Sequence, residues 1–202
     1  MKDRVVFGLK WFYKSFIWLF IVLLGLDIAT KQIVLSLRDT VNEYGHIAEW
    51  GFVNISFVLN YNAAFGLGAS DHTVSRILYL VIASLVSIGL IVYLILKRKE
   101  TKLYVRACLV LIVTGAFGNM IDRIFYAPEY AVVDWIDFYW FWGYVFNIAD
   151  CCIVIAAFML IIYIIVLEVK EMIEKRNNEL KVEETAKKAQ EDYDKENNIK
   201  SE

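Results

Sequence analysis

Asp134 and Asp150 are the residues whose type and setting point most directly to chemistry. Asp134 falls in Val132-Val133-Asp134-Trp135, just ahead of an aromatic-rich run. Asp150 closes Phe146-Asn147-Ile148-Ala149-Asp150, where an almost uninterrupted apolar run begins. A charge at the bilayer centre costs roughly 2.5–3.5 kcal/mol even on the lenient insertion scales, so acids kept at such places are expected to be used. Two acids at a membrane boundary point to proton chemistry. Plainer readings stand beside this one. Asp150 can cap a helix whose dipole favours a carboxylate in its first turn. Asp134 can be a loop carboxylate in water, with Asp137 competing for any role given to it.

Other polar residues gather at helical spacing. Asn147 and Asp150 are i and i+3, on one face. Asn119, Asp122 and Arg123 occur at i, i+3 and i+4 after the small residues Gly115 and Gly118, which would let another helix pack closely. Here the structural reading is an Asp122–Arg123 pair that fixes packing, with Asn119 free to reach a substrate backbone. Asp27 and Lys31 lie four apart and share a face with Thr30 beside them. They read as an ion pair orienting the first helix, with Lys31 snorkelling to the headgroups.

The elements that must hold these groups are long and apolar. Of 202 residues, 59% are hydrophobic, and the single proline, Pro128, leaves long helices almost uninterrupted. Four segments reach the ~20 residues needed to cross a hydrocarbon core: about 11–37, 74–96, 103–126 and 144–167. The first is too long for a secretory signal and lacks a small-residue cleavage site, so it is expected in the mature protein. Lys97, Arg98, Lys99, Lys102 and Arg106 crowd the loop between the second and third segments, and Lys2, Arg4, Lys10 and Lys14 precede the first. The positive-inside rule then puts both termini in the cytoplasm and Asp134 and Asp150 toward the outer face.

Between the first two segments, Val53, Ile55, Phe57 and Leu59 alternate with Asn54, Ser56 and Asn60, the period of a half-buried strand. The small residues of Asn60-Tyr61-Asn62-Ala63-Ala64-Phe65-Gly66 follow, as a turn or as a close approach to a ligand. Trp11, Trp50, Trp135, Trp140 and Trp142 lie at expected interfaces, as in an aromatic belt. The denser run from Trp135 to Tyr144 reads either as an anchor or as a lid dipping into the membrane. The fold class expected is an α-helical integral membrane protein: four transmembrane helices with a small extracytoplasmic β-cradle at about 40–72 and an outer loop at about 127–143. Residues 1–168 form the membrane domain and 169–202 a charged cytoplasmic tail that continues the fourth helix with pairs such as Glu171–Lys175 and then frays.

Several classes are excluded. A net charge of −2 gives no case for nucleic acid. Three cysteines, two of them adjacent, make neither a disulfide framework nor a Cys-x-x-Cys knuckle. Two histidines without His-Glu-x-x-His argue against a zinc hydrolase. No Gly-x-Ser-Gly or Gly-x-Gly-Asp motif marks another class of intramembrane protease.

Taken together, the blocks Asp27-x-x-Thr30-Lys31, Asn60-x-x-Ala63-Ala64-Phe65-Gly66, Gly115-x-x-Gly118-Asn119-x-x-Asp122-Arg123, Val132-Val133-Asp134 and Phe146-Asn147-x-Ala149-Asp150 make the chain resemble lipoprotein signal peptidase, the type II signal peptidase of bacteria. The resemblance implies an aspartic endopeptidase of the inner membrane that cuts prolipoproteins just before a cysteine carrying diacylglycerol, with no metal or organic cofactor. By resemblance the catalytic pair maps to Asp134 and Asp150. Asn60, Asn119, Asp122, Arg123 and Asn147 map to positions around the substrate or supporting the pair, and Asp27 and Lys31 to polar positions of the first helix. Partners implied are diacylglyceryl prolipoproteins and membrane lipids, with the enzyme a monomer. Two departures stand out. The family has glycine where Asn62 stands, and the Arg123 to Asp134 spacing is longer, with Pro128 inside it, which leaves Asp137 as the competing position. Two readings from other classes are a small proton-coupled transporter using Asp27, Lys31, Asp122 and Arg123, and a non-enzymatic assembly factor with structural aspartates.

Overall fold

The computed structural model describes residues 15–61, 71–126, 129–138 and 143–199, with side chains described as far as residue 187. The Ala63–Gly66 block, Asn62, Pro128, Trp11, Trp140, Trp142 and the basic residues before Ser15 lie outside these. Among the described residues, four helices are long and apolar enough to cross a membrane. They are α1 (Ile17–Ser36), α2 (His72–Leu96), α3 (Leu103–Phe125) and α4 (Ile148–Ile199). At 1.5 Å per residue, even the 20 residues of α1 cover the ~30 Å hydrocarbon thickness. Asp71 caps α2, its Oδ1 accepting from Thr73 N at 2.7 Å.

Helix α3 is the central one. Twelve of its residues are buried, against three each in α1 and α2. Small residues on α3 set the packing distance. A Cβ on Gly115 would overlap Ala149 O and Ile153 of α4, and one on Gly118 would meet Asp27 Oδ2 of α1 and Ala149 Cβ at 2.5 and 2.8 Å. The expected close approach at these two glycines is therefore present, and it brings α1 and α4 onto the same turn of α3.

Strands β1 (His46–Glu49), β2 (Asn54–Asn60), β3 (Val132–Asp137) and β4 (Val145–Phe146) form one antiparallel sheet in the order β1-β2-β3-β4. Half of it thus comes from residues expected to be an outer loop and the head of the fourth helix. Val145 and Phe146 pair with Asp137 and Ile136, and helix begins only at Ile148. The simple alternation expected for 53–60 is also corrected. A register shift between Ile55 and Val58 splits the polar set, so that Asn54 stands opposite Asp137 while Val58 and Asn60 stand opposite Asp134 and Val132. A bulge re-aims the side chains that follow it. Asn60 therefore shares a sheet face with Asp134, and Asn54 and Ser56 go to the other.

Residues from Met159 onward form a second compact unit, the C-terminal run of α4. Instead of fraying, helix continues to Ile199. Beyond Leu167 the segment is rich in Glu and Lys, and it lacks glycine and proline throughout, a composition with high helix propensity. A Lys187–Glu183 pair at 2.9 Å supports it.

Candidate active site

The sheet and the C-terminal ends of α1 and α3 meet the N-termini of α2 and α4 at one end of the bundle. Every site residue expected from the sequence lies there. Asp134 is brought by β3 and is 2% exposed. Asp150 is brought by the first turn of α4 and keeps partial exposure. Between them sits Asn147, with no exposed surface. Its Nδ2 donates to Asp134 Oδ1 at 2.6 Å and to Asn119 Oδ1 at 3.1 Å, and its Oδ1 accepts from Asp150 N at 2.9 Å. Both amide hydrogens and the amide oxygen are engaged. Asn147 N in turn donates to Asp150 Oδ2 at 3.2 Å. This reciprocal pairing is the geometry of a capping box. The helix-capping reading of Asp150 is therefore true, and the same cap ties it to Asp134.

The remaining oxygens are also held. Asn60 Nδ2 donates to Asp134 Oδ2 at 2.9 Å, and Asn119 Nδ2 donates to Asp150 Oδ1 at 2.8 Å. Three side-chain amides and one backbone N–H supply these hydrogen bonds, and such donors favour the charged form far less than a cation in contact would. Burial, followed by the charge of Asp150, pushes the Asp134 carboxyl up to about 7.

Behind the pair is a buried ionic layer. Lys31 Nζ lies 2.8 Å from Asp27 Oδ2, 2.9 Å from Asp122 Oδ2 and 3.1 Å from Asn119 Oδ1. Three ammonium donors meet three acceptors. The expected Asp27–Lys31 pair is present, but Lys31 does not snorkel: it is 1% exposed and joins α1 to α3. Asp27 Oδ1 accepts from Ala149 N at 2.9 Å, and Asp122 Oδ2 from Val133 N at 3.3 Å. The layer thus fixes the start of α4 and the strand that carries Asp134.

Two structural expectations for α3 are corrected. Asp122 makes its ion pair with Lys31, whereas Arg123 Nη1 donates to Asn119 O at 3.2 Å and its guanidinium lies 3.8 Å from the Tyr79 ring centroid. Adjacent helical residues do not face each other, which favours these separate partners. Asn119 is not free to reach out; its amide is spent between Lys31, Asn147 and Asp150.

Asp137 faces away. Successive strand residues alternate faces, so three positions from Asp134 it joins a different cluster. Ser56 Oγ donates to its Oδ2 at 2.9 Å, and His46 Nε2 lies 3.3 Å from the same oxygen. Sequence reasoning missed Arg76 and Tyr79 on α2. Arg76 Nε donates to Arg123 O at 2.8 Å, and its guanidinium lies 3.8 Å from the ring centroid of Tyr130, itself in the left-handed region at φ 50°. A lone arginine three residues before a tyrosine, near the start of an apolar helix, was the available signal. Among the described residues no cluster of three or more His, Cys, Asp or Glu could hold a metal ion.

Comparison with known proteins converges on one family. The model of signal peptidase (SPase) II matches residues 19–166. A lipoprotein signal peptidase of Haemophilus influenzae is 36% identical over 150 residues, covering 73% of this chain and 84% of that protein. One from Clostridioides difficile is 33% identical, covering 77% and 97%. A bacterial membrane enzyme solved by the in meso method at 2.3 Å resolution superposes with a TM-score of 0.59 at 26% identity, over 74% of this chain and 86% of that one. The transporter and assembly-factor readings find no support among these relatives. A matched model over most of the chain, relatives above 30% identity and four apolar helices among the described residues place the chain in the signal peptidase II family of membrane peptidases.

Proposed function

We propose that the chain removes signal peptides from prolipoproteins by aspartic chemistry at Asp134 and Asp150, cutting before a cysteine that carries diacylglycerol. The observation that carries this reading is Asn147, which holds Asp134 through its side chain and Asp150 through its backbone N–H. Two acids anchored to one residue are placed to act on one substrate atom.

The pair shares a proton. Its ionised member draws a proton from a water lying between the carboxyls, and that water attacks the scissile carbonyl. The protonated member hydrogen-bonds the developing oxyanion and protonates it. The gem-diol then collapses with cleavage of the C–N bond. The first member passes the water's proton to the leaving nitrogen while the second takes a proton back from the diol, which restores the shared proton. Their titration belongs to the pair, so either aspartate can begin as the base. Asn60 and Asn147 orient Asp134, Asn119 orients Asp150, and Asp27, Lys31 and Asp122 fix the elements that carry them. Arg123 holds α3 against α2. No step needs a cofactor.

The basic loop at 97–106 supports a topology with both termini in the cytoplasm and the dyad toward the outer face. Residues 1–168 act as the peptidase domain and 169–202 as a cytoplasmic extension. The enzyme works as a monomer on substrates that enter from the bilayer, with their acyl chains against apolar helix faces.

The test reconstitutes the purified chain with a diacylglyceryl prolipoprotein and follows cleavage with and without EDTA. Asp134→Asn, Asp137→Asn and Asp150→Asn variants run alongside. Activity is expected to survive EDTA and the Asp137 change. Loss with the chelator, or cleavage retained in both dyad variants, removes the aspartic reading.

A further inference from the structure

We infer that the end of the bundle opposite the dyad carries a site for one anionic phospholipid. The inference rests on four helices spanning a membrane and is independent of how the dyad works. A groove of about 460 Å³ runs between α1 and α2 and is floored by α3. Its size falls within the ~300–1,000 Å³ of small-ligand pockets. Phe20, Ile91, Ile95 and Val110 form its apolar walls, and Arg98 and Arg106 stand at its mouth.

The mouth is built. Arg106 Nη2 donates to the carbonyl oxygens of Arg98 and Thr101 at 2.5 and 3.2 Å, which seats the guanidinium where the α2–α3 loop turns back. The surrounding loop adds Lys97, Lys99 and Lys102 against the single acid Glu100, which Lys97 engages at 2.8 Å. A basic rim over an apolar slot between transmembrane helices is complementary to a phosphate headgroup with an acyl chain beneath it. The same charge disfavours the other candidate occupant. A signal peptide carries a positive n-region ahead of its apolar stretch, and that end would meet like charge at Arg98 and Arg106.

The experiment reconstitutes the full chain in phosphatidylcholine vesicles with a trace of spin-labelled phosphatidylglycerol or spin-labelled phosphatidylcholine. The motionally restricted fraction of each label is then measured. Wild type is expected to prefer phosphatidylglycerol about fivefold, the attraction typical of one basic side chain near an anionic headgroup. The preference should fall to near parity in Arg98→Gln, where an exposed side chain is changed, and in Val110→Trp, which fills the slot. Peptidase activity in the same vesicles reports that the variants are folded. Parity in wild type, or a preference that survives either variant, overturns the inference. A lower KM for prolipoprotein in Arg98→Glu would give the groove to the signal peptide and overturn it as well.

Discussion

One strand carries two aspartates, three residues apart, into opposite environments. Asp134 receives hydrogen bonds from two neutral amides, and burial, with the charge of Asp150 second, pushes it up to about 7. Asp137 receives a serine hydroxyl and stands 3.3 Å from a histidine ring nitrogen whose partner nitrogen faces Glu49 at 3.0 Å. The site face has two cations: Lys31 is held one residue away, on Asp27, Asp122 and Asn119, and Arg123 adds a charge that both dyad carboxyls feel. The difference teaches how a carboxyl is kept ready to take and give a proton. A cation in contact stabilises the charged form, whereas amides orient the group and leave its proton negotiable.

The sharpest way to break this contrast is to remove each acid in turn. Asp134→Asn and Asp150→Asn should each lower kcat by about 10²–10⁴-fold, the usual worth of a positioned acid or base, with substrate still bound. Asp137→Asn should leave kcat near wild type. Comparable losses at Asp134 and Asp137, measured by cleavage of a reconstituted prolipoprotein, would erase the distinction between the two faces. Next in size is Lys31→Met, which leaves Asp27 and Asp122 buried without their cation. Breaking one partner of a buried ion pair costs about 3–5 kcal/mol, so the variant should melt well below wild type or fail to accumulate. Asn147→Ala should be milder for folding and still costly for rate. It removes the hydrogen bonds to Asp134 and Asn119 and the cap bond from Asp150 N, the one to the charged group alone worth about 1.5–3 kcal/mol, and should displace the pH profile as well as kcat.

The sequence made legible what depends on nearby residues. Four spans followed from apolar length, and the Asp27–Lys31, Asn119–Asp122 and Asn147–Asp150 groupings followed from helical spacing. The close packing at Gly115 and Gly118 followed from their size. What escaped depends on partners far along the chain. Lys31 reads as a snorkelling cation until α3 supplies Asp122, ninety-one positions away. Val145 and Phe146 read as helix because their apolar character suits either element, and only pairing with Ile136 and Asp137 makes them a strand. The shift between Ile55 and Val58 has no mark in the alternation it interrupts, yet it decides that Asn60 meets Asp134. Arg76 and Tyr79 gain meaning only against Arg123.

Proton linkage separates the faces with a smaller effect. Asp134 titrates higher in the folded chain than at its ordinary value of 3.8, at about 7. Between these values the native state binds more protons than the unfolded chain, so stability falls as pH rises through that window and levels off above it. Asp134→Asn cannot ionise, and its melting temperature should gain on wild type from pH 4 to pH 8. Wild-type turnover should decline above pH ~7 as the pair surrenders its shared proton. A variant whose advantage is constant across that range would show that Asp134 is not held protonated by its surroundings.

The opposite face should show the reverse slope, weakly. His46 and Asn42 hold Glu49 by hydrogen bonds at 3.0 and 2.7 Å and draw its carboxyl below the ordinary 4.5. A depressed carboxyl contributes stability that is full above its unfolded value and lost as pH falls through the folded one. Wild type should therefore lose a little stability below pH 4.5, on a fully solvated group where screening keeps the effect small. Glu49→Gln has nothing to protonate there and should melt with a flatter acid limb, while its turnover and its slope between pH 4 and pH 8 stay those of wild type. Thermal melts of Glu49→Gln and Asp134→Asn over one pH series would separate the faces, because each substitution should flatten a different limb. If Glu49→Gln changed the neutral limb instead, the sheet would be transmitting charge from one face to the other, and the dyad's proton would depend on more than amides and burial.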